Sequence, residues 1–211
     1  MKIVDLSHVI EAAMPVFPGT EPPVLAPANT IARDGFAEKK ITMYSHTGTH
    51  MDAPAHMLPG APTLDAYPVE RFYGRAVLVD VSQRAVKHIE LADLLPLEER
   101  LHGARFVVLR TGWAERWGRP EYYADFPALT PQAARWLIDL GIVGVGTDAI
   151  SIDRMEDAAF PVHNLLFAAG VFVIENLCNL AGLGPEFELA CFPLRIADAD
   201  GSPVRAVAFI S

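Results

Sequence analysis

The segment Ser45-His-Thr-Gly-Thr-His-Met-Asp-Ala-Pro-Ala-His56 restricts the folding choices of this chain more than any other. It carries His46, His50, Asp52 and His56 at offsets of four, two and four. A helix would bring His46 and His50 together one turn apart. It would also swing Asp52 away from His46, and Gly48 and the Asp52-Ala-Pro54 run weaken a helix there. A straight strand puts all four on one face, because every offset is even. That strand would stretch residues 46–56 over about 33 Å. Ligands of a single ion, each about 2.0–2.2 Å from it, cannot be spread so far. A loop that folds back after a strand meets both limits, and the glycine and prolines permit it.

Imidazole nitrogens together with a carboxylate suit zinc, manganese or iron. The segment has no cysteine, which argues against a closed structural zinc site. One histidine in a turn reads as a surface or capping group. Three histidines and an aspartate within eleven positions read as ion ligands.

The rest of the chain is that of a globular protein. Its 211 residues are 51% hydrophobic and 20% charged, which argues against disorder and suits one sizeable domain over 1–211. No apolar run is long enough to span a bilayer. The first twenty residues lack the basic start and unbroken apolar stretch of a secretory signal, and read as a strand that opens the fold. A net charge of -9, with no cluster of lysine or arginine, disfavours a nucleic-acid partner. Cys178 and Cys191 form neither a disulfide framework nor a CxxC pair, and read as reduced thiols of a cytoplasmic protein.

Seventeen prolines and fifteen glycines spread along the chain imply many turns. Residues 15–23 form a loop, and 40–44 alternate as a strand entering the histidine segment. Residues 75–81 and 105–110 are compact β-rich runs, with a helix over 89–100 between them. Thr130-Pro131 opens a second helix that stops at Gly141. A strand follows at 142–146, a helix at 162–169 stopped by Gly170, and a strand at 171–174. Residues 188–195 and 204–210 read as two antiparallel strands around a turn at Asp200-Gly201. Strands and helices mix without a strict βαβ rhythm. The fold class is therefore α/β, with a mixed, antiparallel-rich sheet and flanking helices, rather than a barrel.

His46-Thr-Gly-Thr-His50-Met-Asp52-Ala-Pro-Ala-His56 resembles the HxGTHxDxPxH signature of the cyclase-like metal-dependent hydrolases, which include bacterial kynurenine formamidases and isatin hydrolases. The likeness extends to the N-terminal proline loop, Leu109-Arg-Thr-Gly112, Gly146 to Asp153 and Pro193-Leu-Arg195. It implies a swivelling β/β/α fold. It also implies a homodimer or larger oligomer, and a small-molecule substrate.

The same resemblance implies a site. His46, His50 and Asp52 would hold one divalent ion, with Asp52 bridging to a second, and His56 would move the proton. His163 and Glu175, twelve residues apart, would complete the set. A helix and strand running antiparallel about Gly170 would let those two converge. Zinc is the expected ion and manganese the alternative, with one or two ions per chain. Such an ion lowers the pKa of its water toward about 7, and a neighbouring imidazole titrates nearby, which together suit hydrolysis of a small amide. Other uses of the same ion are lactone hydrolysis, dehydration or cyclisation. A metal-binding protein without turnover would not need His56. Phe17 and Thr20 stand where the formamidase branch has tryptophan and aspartate. Phe17 is then either an apolar substrate wall or a core residue. Phe160 and Phe167 are further candidates for the cavity wall. Asp148, Ser151 and Asp153 form a polar cluster without an assignable role, Ser45 and Ser151 lack the context of a catalytic triad, and His8, His88 and His102 have no matching partners.

Overall fold

The computed structural model describes residues 1–84 and 86–210. The strands are, in order, β1 (Lys2–Asp5), β2 (Val24–Asn29), β3 (Glu38–Thr42), β4 (His50–Asp52), β5 (Tyr73–Asp80) and β6 (His88–Ile89). They continue as β7 (Phe106–Arg110), β8 (Ala128–Leu129), β9 (Gly144–Thr147), β10 (Phe172–Glu175), β11 (Glu186–Pro193) and β12 (Gly201–Ile210). The α-helices are α1 (Ile31–Asp34), α2 (Leu91–Leu94), α3 (Glu98–Leu101), α4 (Pro131–Asp139) and α5 (Pro161–Ala168).

The main sheet has the order β1-β12-β11-β5-β7-β9-β10-β4. The pairs β5–β7, β7–β9 and β9–β10 are parallel, and the other pairs antiparallel. This is the mixed, antiparallel-rich sheet that the sequence implies. The expectation against a barrel fails, because β4 also pairs with β12 and closes a ring from which only β1 is left out. β12 makes closure possible by its length. Its first residues, Gly201 to Pro203, pair with β4, and Val207 to Ile210 pair with β1 on the same edge. Short segments at 88–89 and 50–52 carry too little periodicity to reveal such pairing in advance.

Strand alternation builds two cores from the same strands. Ala76, Leu78, Phe106, Val108, Phe172 and Ile174 point into the ring, with Met51 and Leu189. Val77, Val79, Val107, Leu109, Val145 and Val173 point outward and are covered by Ala133, Ala134 and Leu137 of α4 and by Val162, Leu166 and Phe167 of α5. α4 begins as its sequence indicates, with the Thr130 hydroxyl accepting from the Ala133 N–H and Pro131 in the first turn. The helix expected over 89–100 is instead two short helices, α2 and α3, separated by a 3-10 turn at Leu95–Leu97. Pro96 lacks the N–H that a continuous helix would need there. Phe167 is a core residue and does not line the cavity described below.

Gly144 lies opposite Phe106 across the β7–β9 pair. A Cβ on Gly144 would stand 2.9 Å from the Phe106 ring, which is fully buried. Gly144→Val should therefore lower stability by about 1–3 kcal/mol through overpacking. Urea unfolding would check this, and an unchanged midpoint would show that the ring has room to move.

Candidate metal centre

β4 supplies the first two donors by parity. Met51 points into the ring, so His50 and Asp52 point outward on one face. On β10, Phe172 and Ile174 point inward, so Val173 and Glu175 share that outer face. The antiparallel register then sets Glu175 beside His50 and Val173 beside Asp52. α5 lies over this patch and brings His163 down onto it. His50 Nε2 is 3.2 Å from Asp52 Oδ1 and 3.5 Å from Glu175 Oε2. His163 Nε2 is 3.3 Å from Glu175 Oε1 and 3.8 Å from Asp52 Oδ2. His46 enters from the loop before β4, with Nδ1 2.6 Å from Asp52 Oδ1. The histidine segment thus folds back as expected, but with a three-residue strand at its centre rather than as loop throughout.

Each inner histidine is held by its far nitrogen. His50 Nδ1–H donates to the Gly48 carbonyl at 2.8 Å, which also accepts from the Asn176 amide at 2.8 Å. His163 Nδ1–H donates to Asp153 Oδ2 at 2.7 Å. The Asp153 carboxylate also accepts from the N–H groups of Val162 and His163, both at 2.9 Å, satisfying the orphan donors at the start of α5. Asp153, which the sequence left without a role, both begins that helix and fixes the tautomer of His163. Asp148 is structural: it accepts from the Thr111 N–H and hydroxyl and the Gly112 N–H, tying the end of β7 to that of β9.

The donor set fits a divalent cation. Ligands of a tetrahedral ion about 2.0–2.1 Å away lie about 3.3 Å from one another. His50, Asp52, Glu175 and His163 have neighbouring donor atoms 3.2 to 3.8 Å apart. Asp52 faces His50 with one oxygen and His163 with the other. Charge points the same way. Burial disfavours a charged His46, but Asp52 and Asp200 beside it outweigh burial and raise its pKa to about 10. His163 is raised well above its ordinary value, with Asp153, Asp52 and Glu175 overcoming burial. Asp52 lies well below the usual carboxylate range, as the charges of His50 and His46 overcome its burial. Carboxylates packed this closely draw positive charge. Protons on these imidazoles would compete with a cation held there, so its affinity would fall as pH drops.

These residues stand at the base of a cavity of about 650 Å³. Phe17, Tyr44, Met57, Ile150 and Phe160 line its apolar walls. Phe17 is 38% exposed, so it belongs to the wall and not to the core. Phe160 takes φ +45°, an uncommon conformation for a bulky side chain, immediately before α5. His56 lies at the rim, its ring 3.9 Å from that of His46. Burial and the charge of His46 lower its pKa, against the pull of Asp52 and Asp200. Asp200 joins the site from the residue before β12. In the sequence it reads as part of a turn, and no local pattern marks it, since its partners lie about 150 residues upstream. Among the described residues, His8, His88 and His102 lie outside this cavity.

A family model described as "Putative cyclase" matches residues 4–154. A kynurenine formamidase of Bordetella petrii is 32% identical over 208 residues, covering 96% of this chain and 95% of the relative. A solved isatin hydrolase bound to the product analogue thioisatinate superposes with a TM-score of 0.88 at 27% identity, covering 99% of this chain and 92% of that one. A structure described as a potential metal-dependent hydrolase with cyclase activity gives a TM-score of 0.83 at 31% identity, with coverage of 98% and 96%. The histidine segment, the ring-closed sheet and these likenesses agree, and the chain belongs to the Cyclase family of cyclase-like metal-dependent hydrolases.

Proposed function

We propose that this chain, acting as one domain over residues 1–211, hydrolyses the C–N bond of a small aromatic amide, either N-formyl or cyclic. The observation that carries the proposal is the Asp52 carboxylate, with one oxygen toward His46 and His50 and the other toward His163, and Glu175 facing both His50 and His163. His46, His50 and Asp52 would hold one ion, and Asp52, His163 and Glu175 a second. Nitrogen and oxygen donors without cysteine favour zinc, with manganese as the alternative. A divalent cation bound there supplies Lewis acidity, acidifying water and polarising a carbonyl.

The side chains supply the rest. His56 stands at the cavity rim with its ring 3.9 Å from that of His46, placed to accept a proton from the attacking water. It then delivers that proton to the leaving nitrogen, which leaves as a neutral amine. Phe17, Tyr44 and Phe160 offer aromatic and apolar surface to a ring substituent. The names of the relatives, kynurenine formamidase and isatin hydrolase, support an aromatic amide as the class.

A homodimer or larger assembly is part of the same reading. Among the described residues β2 and β3 pair only with each other, and a two-stranded ribbon is marginal on its own. Val24, Ile31, Phe36, Ile41 and Tyr44, on and beside this ribbon, are each at least half exposed. A second copy of the chain would cover them.

Metal-loaded protein should hydrolyse formanilide or isatin, lose the activity to a chelator and regain it when zinc or manganese is restored. Turnover of lactones alone would refute cleavage of a C–N bond. His56→Gln should lower kcat by about 10²–10⁴-fold with the metal content intact, and full activity in that variant would remove His56 from proton transfer. Sedimentation equilibrium at micromolar concentration should give a dimer or larger species, whereas a monomer would refute the assembly.

A further inference from the structure

We infer that Asp200 is the positioning residue of this centre, its carboxylate fixing the ligand His46 and the proton-transfer group His56 in one relation and one tautomer each. The inference rests on the hydrolase reading above and concerns a residue outside both ligand sets proposed there.

Asp200 Oδ2 lies 3.0 Å from His46 Nε2 and 3.2 Å from His56 Nδ1, so one oxygen accepts from both rings. Its other oxygen accepts the Ser45 hydroxyl at 2.9 Å. The Asp200 carbonyl accepts the Ala53 N–H at 2.8 Å, tying its backbone to the ligand-bearing segment. The next residue, Gly201, pairs with Asp52, and a Cβ there would stand 2.6 Å from His46 Nε2. A side chain at 201 would displace the ring, and glycine leaves it room.

A histidine whose Nδ1–H is held by a carboxylate presents a free Nε2 lone pair. Asp200 does this for His56, leaving Nε2 as the atom that takes the proton. For His46 it holds Nε2–H, leaving Nδ1 toward Asp52 and the ion position. The Asp200 side chain is 42% exposed, so hydrogen bonds rather than packing hold it in place. The isosteric Asp200→Asn replacement is accordingly compatible with the fold.

Wild-type, Asp200→Asn, His56→Gln and the double variant should be compared on formanilide and isatin, with metal content measured in each. Asp200→Asn is expected to lower kcat by about 10–100-fold, to leave KM within about twofold and to keep the full metal stoichiometry. On the His56→Gln background the same change should cost clearly less in kcat than it does in wild type, because only the hold on His46 is then left to lose. Ser45→Ala, which frees only Oδ1, should give a smaller loss of kcat in the same sense. Wild-type kcat in Asp200→Asn would overturn the inference, as would loss of an ion equivalent, which would make Asp200 a ligand. A full repeated loss on the His56→Gln background would overturn it too. Wild-type protein inactive on both substrates would overturn the hydrolase reading along with it.

Discussion

β4 is hydrogen-bonded along both edges, to β10 and to β12, and the donors of the centre take their places from that double pairing. The strand is three residues long, so its alternation admits only one division: Met51 to the inside of the ring, His50 and Asp52 to the outside. A slip of one residue on either neighbour would exchange those faces, burying a carboxylate among the side chains of the ring and exposing a methionine. Register is therefore enforced by hydrophobic burial, and the site inherits its precision from the sheet. Ring closure and site assembly have the same cause, because the strand that completes the ring is the strand that carries the donors.

This placement concentrates charge. Asp52 and Glu175 are almost fully buried next to each other, and burying like charges is unfavourable unless something positive lies between them. The carboxylates beside them raise the pKa of both His46 and His163 despite burial, a sign of the same need. A divalent cation held there would meet that need and, by binding the folded state, would stabilise it. The hydrogen bonds from His50 to Gly48 and from His163 to Asp153 leave the inner nitrogens aimed at the centre. Little reorganisation is then needed when an ion arrives.

α5 serves core and site at once. Phe167 sits one turn beyond His163 and packs into the outer core with Val162 and Leu166. Anchoring at that turn, together with Asp153 at the helix start, keeps His163 from withdrawing. The strained Phe160 immediately before the helix adds cavity wall where the chain turns toward α5. Local strain of this kind persists only where the surroundings hold it.

Much of this was legible in the sequence, and the boundary has a physical basis. The even offsets of His46, His50, Asp52 and His56, and the donor types themselves, are local properties, so they could be read before any fold was known. The same holds for the cap at Thr130 and for the β-rich runs that became β5 and β7. The link between His163 and Glu175 spans one helix and one strand, short enough to infer from their antiparallel run once the family signature had pointed to them. Closure of the ring depends on β4 meeting β12 across about 150 residues, and the arrival of Asp200 depends on that closure. Asp153 finds His163 only after the chain has turned at Phe160. Composition and periodicity determine which side chains a segment can offer and which face it buries. Which distant backbones share hydrogen bonds is decided by how the whole chain closes its sheet, and that is a property of tertiary structure alone.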